Sequence, residues 1–64
     1  MKLAYNSIKV SDIVSEFDDQ GSLVSGSQVL VVDEIETSSG KAFILNEEQL
    51  GYWTPTKNLR KAQT

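Results

Sequence analysis

Gln28-Val29-Leu30-Val31-Val32-Asp33-Glu34-Ile35 is the stretch on which the fold turns. It is rich in β-branched residues and too short for a typical helix, so it reads as a strand. Gly26 and Ser27 bound it in front, and Thr37-Ser38-Ser39-Gly40 forms a turn cluster behind it. Gly40 supplies the positive φ that a short hairpin loop demands. Lys41-Ala42-Phe43-Ile44-Leu45 then resumes as a second strand, and the two runs are predicted to pair as a hairpin.

Working outward, Asn46-Glu47-Glu48-Gln49 is polar and has room for one helical turn at most. Leu50-Gly51-Tyr52-Trp53-Thr54 is predicted as a third strand. Pro55 has no N–H for a ladder, so that strand ends there or lies at an edge. Thr56-Lys57-Asn58 reads as a tight turn of 3₁₀ type, and Leu59-Arg60-Lys61-Ala62 as a last short strand. Toward the amino terminus, Ile8-Lys9-Val10 alternates in the strand manner. Ile13, Val14 and Phe17 suit either a strand or one amphipathic turn capped by Ser11 or Asp12. The strand is preferred, because short β elements bounded by Gly and Ser fill the rest of the chain. Asp18-Asp19-Gln20-Gly21-Ser22 is a loop by composition, and Leu23-Val24 a short strand before the turn at Gly26. Short strands with turn signals every 8–12 residues point to a small barrel or sandwich. At this length a barrel is the preferred way to close the edges. The expectation is one all-β domain over residues 1–64, a small barrel of about five short strands.

A chain of 64 residues buries only about 60% of the surface that its unfolded form exposes. Domains of this size usually gain stability from disulfides, a metal or a partner subunit. Cysteine and histidine are both absent, which removes disulfides, thiol chemistry and the usual ligands of structural zinc. Self-association is the stabilising device that remains. Hydrophobic residues make up 39% and charged residues 23% of the chain, ordinary globular values. No apolar run approaches the roughly 20 residues that span a bilayer, so no membrane partner is expected. Met1-Lys2-Leu3-Ala4-Tyr5-Asn6 lacks the pattern of a signal peptide, and the chain is expected to be made in the cytosol.

The net charge is −3, and it is unevenly spread. Between Lys9 and Lys41 there is no basic residue, while Asp12, Glu16, Asp18, Asp19, Asp33, Glu34 and Glu36 all fall there. Lys57, Arg60 and Lys61 gather near the carboxyl end. An acidic body argues against nucleic acid, whose binding draws on Lys and Arg to neutralise phosphates. Catalysis is not expected either, since no histidine is present to act as a base near neutral pH. Asp18-Asp19 and Glu47-Glu48 are neighbours in polar loops rather than paired acids in a cleft. The spacing of a calcium loop is missing around Asp18, Asp19 and Gln20. No cofactor and no metal are expected.

The aromatic residues are Tyr5, Phe17, Phe43, Tyr52 and Trp53. Phe43 lies in an apolar strand and is assigned to the core. Tyr52 and Trp53 are adjacent in a strand, so their side chains take opposite faces. One of them fills the core, and the other is left for a surface or an interface, a platform for a sugar or peptide.

Gly26-Ser27-Gln28-Val29-Leu30-Val31 resembles the opening of bacterial SH3 domains, where a glycine precedes a valine-rich strand. Ser39-Gly40-Lys41-Ala42-Phe43-Ile44 resembles their hairpin, and Gly51-Tyr52-Trp53 with Leu59 their Gly-Trp-Val segment and closing leucine. The resemblance covers roughly residues 23 to 62, and departs from the family in having Tyr-Trp where Trp-Val is usual. It implies an SH3-like barrel and a non-catalytic domain that binds peptidoglycan or a wall-attached polymer. Such a domain targets a phage endolysin to Gram-positive bacteria. Some endolysins resemble this case further. Their wall-binding domain is also made separately from an internal start, which Met1 fits, and assembles with the full-length lysin. The protein would then be made in the host cytoplasm and act at the cell wall. The resemblance puts the acidic loop beside the ligand groove, with Asp18 or Asp19 meeting a cationic or amide-rich group. Phe17, Asp18, Asp19, Tyr52 and Trp53 are therefore the candidate binding residues. Exposed carboxylates contribute only about 0.2–1 kcal/mol each. Weak sites suit several linked copies, which raise avidity by roughly 10²–10⁴, a second reason to expect a homo-oligomer. The rival class is a phage or bacterial protein-interaction adaptor built on the same barrel.

Overall fold

A computed structural model describes residues 8–26 and 28–62. The readings made on Met1 to Asn6, on Tyr5 and on Ser27 lie outside the described residues. Over the described residues the chain is all-β, with five strands in a single antiparallel sheet. They are β1 (Ile13–Glu16), β2 (Leu30–Glu36), β3 (Lys41–Leu45), β4 (Gly51–Pro55) and β5 (Leu59–Lys61), in the spatial order β4-β3-β2-β1-β5. A 3₁₀ turn, Thr56–Asn58, links the last two. This is a barrel-like arrangement left open: among the described residues β4 and β5 end the sheet, and no ladder joins them.

The hairpin forms as its composition predicts, with Glu36 opposite Lys41 and Val31 opposite Leu45. Gly40 sits at φ 69°, and its N–H donates to the Thr37 carbonyl at 3.3 Å. The valine-rich run contains a break that its composition does not announce. Leu30 and Val32 point inward, so strict alternation would carry Glu34 inward too. The register instead shifts between Val32 and Glu34. This bulge at Asp33 leaves Glu34 exposed and packs Ile35 against the core. β2 begins at Leu30 rather than Gln28 and runs one residue past Ile35.

Three other segments depart from expectation. Ile8-Lys9-Val10 is not a strand. The Asp12 carboxylate accepts the Lys9 N–H at 2.7 Å and the Asp12 N–H donates to the Lys9 carbonyl at 3.0 Å, closing a turn instead. Leu23 makes only an isolated bridge to Phe17, because the loop is held by other bonds before a ladder can extend. Asn46–Gln49 contains no helical turn. The Asn46 side-chain oxygen accepts the N–H groups of Glu48 at 2.8 Å and Leu50 at 3.2 Å, an Asx arrangement that reverses the chain. In that turn Gln49 takes φ 67°, a conformation that favours glycine. Gln49→Gly is expected to raise stability by about 1 kcal/mol, the usual penalty of a left-handed side chain. An unchanged or lowered urea midpoint would contradict this.

The inner face buries Val14, Leu30, Val32, Ala42, Ile44 and Leu59. Cross-strand register explains the grouping: Val14 faces Leu30, and Val32 faces Ile44. On the outer face Gly51 lies under neighbouring side chains. A Cβ there would come within 2.6 Å of the Ile44 carbonyl oxygen and 2.7 Å of Phe43 and Leu45 side-chain carbons. Only glycine fits, and its bareness lets Phe43 and Leu45 close over the strand.

Candidate functional site

β1 ends by sending Glu16 inward and Phe17 outward, since consecutive strand residues alternate. Glu16 faces Leu59 in the ladder with β5 and is buried. Its carboxylate accepts hydrogen bonds from two hydroxyls of β4: the Tyr52 O–H at Oε1, and the Thr54 O–H at Oε2 at 3.0 Å. β1 and β4 are separated in the sheet by β2 and β3, so these bonds exist only because the sheet curls. They form a side-chain clasp between β1 and β4 on the inner face of the curled sheet. The backbone around Glu16 is tied as well. Its N–H donates to the Ser25 hydroxyl at 3.2 Å, and its carbonyl accepts the Val24 N–H at 2.8 Å.

Tyr52 occupies the inner side of β4, opposite Ile44. The residue is 43% exposed, while its hydroxyl is turned onto Glu16. Burial of the hydroxyl end, then the hydrogen bond to Glu16 and that carboxylate's charge, push its pKa from 10.0 up to about 12. Trp53 lies on the outer side opposite Phe43, ring centroids 5.4 Å apart and planes tilted by 58°. The two aromatics take opposite faces, with Tyr52 at the inner mouth and Trp53 on the outer sheet. Phe43, assigned to the core from its strand, instead packs on the outer face under Trp53, because the inner positions of β3 are Ala42 and Ile44.

Phe17 heads the first loop, between β1 and β2. Its N–H donates to the Asn58 carbonyl at 2.8 Å, and the Arg60 guanidinium lies 4.2 Å from its ring centroid. Asp18 serves the loop itself: one carboxylate oxygen accepts the N–H groups of Gln20 at 2.9 Å and Ser22 at 2.8 Å. Asp19 reaches outward and accepts from the Asn58 side chain at 3.4 Å. The first loop and the 3₁₀ turn thus meet at one end of the barrel. Phe17, Asp19, Asn58 and Arg60 stand together there, with Leu23 and Val24 about half exposed on the same loop. Of the five candidate residues, Phe17, Asp18 and Asp19 share this end. Tyr52 is tied to Glu16, next in sequence to Phe17, and Trp53 stands apart.

Glu16, Thr54, Asn58 and Arg60 are not singled out by the sequence. For Glu16 the signal was present: it lies two residues from Val14, in the inward phase of β1. A second concavity, lined by Ser11, Asp12, Ile13, Lys61 and Ala62, contains the Lys61–Asp12 ion pair at 3.9 Å. Such exposed pairs contribute little. Comparison with family models, with curated proteins and with solved structures yields no match to this chain.

Proposed function

We propose that the chain is a non-catalytic binding module that takes peptidoglycan or a wall-attached polymer of Gram-positive bacteria. In this reading it targets a phage lysin whose catalytic groups reside on another domain. The observation that carries it is the meeting of the first loop with the 3₁₀ turn. There the Phe17 ring, backed by Arg60, stands beside the Asp19 carboxylate and the Asn58 amide. A ring face with amide and carboxylate groups at its rim suits a ligand made of sugars and short peptides. Asp18 holds the loop that presents them. Tyr52 offers a second ring, fixed through its hydroxyl to Glu16, the residue before Phe17.

Sedimentation with purified Gram-positive walls tests the reading. The wild-type domain is expected to pellet with walls, and Phe17→Ala to weaken that binding by about tenfold, or ~1.4 kcal/mol. Asp19→Asn is expected to weaken it less. Absence of the domain from every wall pellet tried would sink the proposal. A second reading, the protein-interaction adaptor, is favoured by half-exposed Leu23 and Val24 on the same loop. Saturable binding to a soluble host protein, with indifference to walls, would select it.

A further inference from the structure

The end of the barrel where the first loop meets the 3₁₀ turn holds two unlike charges that do not meet. The Arg60 guanidinium lies 4.2 Å from the Phe17 ring centroid. The Asp19 carboxylate accepts at Oδ1 from the Asn58 side chain at 3.4 Å. Among the described residues the one ion pair joins Lys61 to Asp12, so Arg60 and Asp19 pair neither with each other nor with a third charge. Their anchors are tied together, since the Phe17 N–H donates to the Asn58 carbonyl at 2.8 Å. Guanidinium and carboxylate are thus carried on one braced unit. Each keeps hydrogen-bonding capacity to spare. A ring face attracts a guanidinium without taking up its five N–H donors, and Asp19 keeps Oδ2.

The signs at this end select among ligands. Lys57 and Arg60 stand on the turn and on β5, and Asp18 and Asp19 on the loop, two of each sign and all exposed. A phosphate-rich polymer meets the two carboxylates, and a polycation meets the two cations. A neutral glycan leaves both signs unused. A ligand with one charge of each sign answers both Arg60 and Asp19.

We propose that this end takes a short peptide bearing one free carboxylate and one free ammonium group. The peptide carboxylate accepts paired N–H groups from the planar Arg60 guanidinium, whose fork matches it. The ammonium donates to Asp19 Oδ2, and the chain between them lies along the Phe17 ring and half-exposed Leu23. The inference rests on the reading of this end as the wall-binding site. It names the part of the wall that is taken: peptides with free ends, in preference to glycan strands or phosphate-bearing polymers.

NMR titration with short alanine oligomers, each free, N-acetylated or C-amidated, tests it. The amides of Phe17, Asp19 and Arg60 are expected to shift with the free form. Blocking either end is expected to weaken binding by about threefold, the scale of one exposed charge pair. Asp19→Asn, which keeps an acceptor for Asn58, is expected to abolish the effect of N-acetylation and retain that of C-amidation. Arg60→Gln is expected to do the reverse. Variants that weaken all three forms alike would overturn the proposal, because that is what loosening the loop would do. So would wild-type binding that ignores both blocks, or no binding of any oligomer. The wild-type comparison stands even where a substitution unfolds the domain. Sedimentation with walls separates this inference from the broader reading. A domain that pellets with walls but ignores the oligomers sinks the inference alone. End-dependent peptide binding without wall pelleting upholds it and sinks the wall reading.

Discussion

Ile44→Ala is expected to destabilise the domain by about 2–5 kcal/mol, the range for deleting a large buried aliphatic side chain. Ile44 is fully buried, and it joins both sides of the inner face, opposite Val32 in one ladder and Tyr52 in the other. Folded domains hold roughly 0.05–0.15 kcal/mol per residue. For 64 residues this is on the order of 3–10 kcal/mol, so the substitution removes a large share of it. A small barrel has few other residues to move into the gap. Lys57→Ala, at an exposed position of the 3₁₀ turn, serves as the control and is expected to stay within about 0.5 kcal/mol of the parent. Urea unfolding followed by Trp53 fluorescence reads both. A loss at Ile44 no larger than at Lys57 would mean that the inner face is not the source of stability.

The second large effect is expected at Glu16. Glu16→Ala deletes the acceptor of two hydroxyls, one of them on Thr54, which is 4% exposed. A buried hydroxyl left without a partner costs about 1–3 kcal/mol. β1 and β4 share no ladder and are joined by these side chains alone, so the loss falls on the curl that brings the two strands together. Tyr52 gives this clasp a spectroscopic signature. Its hydroxyl ionises near pH 12 rather than 10.0 because it is buried and faces the Glu16 carboxylate. The folded state thus holds that proton more tightly than the unfolded state. The contribution to stability is complete below pH 10 and is lost as pH climbs toward 12. In a Tyr5→Phe background, absorbance at the phenolate band is expected to follow this titration. Glu16→Gln is expected to lower the Tyr52 midpoint toward 10.0 without reaching it, since the charge goes but the burial stays. A midpoint unmoved by Glu16→Gln would show that the carboxylate has no hold on the hydroxyl.

Much of the fold was legible from local chemistry. The hairpin, the 3₁₀ turn at Thr56–Asn58 and the edge position implied by Pro55 each follow from residues whose backbone options are narrow. The bulge at Asp33 was not legible. A valine-rich run alternates equally well in either phase, and only the cross-strand partner decides where the extra residue goes. The failure at Ile8–Val10 has a similar origin: alternation predicts a strand, but a carboxylate three positions along the chain, Asp12, captures the Lys9 N–H first. The candidate site was only partly legible. Aromatic residues in a strand and acids in a loop are visible in a sequence. The hydroxyls that hold Glu16, and the guanidinium over Phe17, come from strands 36 to 43 residues further on, and no local pattern announces them.

The bulge also bears on how this chain tolerates change in length. Without Asp33, the strand would run Leu30-Val31-Val32-Glu34-Ile35-Glu36, a clean alternation that turns Leu30, Val32 and Ile35 inward as they are now. Asp33 is therefore an insertion that the core does not register. A one-residue deletion there leaves the inner face intact, whereas the same deletion at Val31 would expose half the strand's apolar side chains. The middle of the central strand can thus lose a residue and keep the same side chains on its inner face.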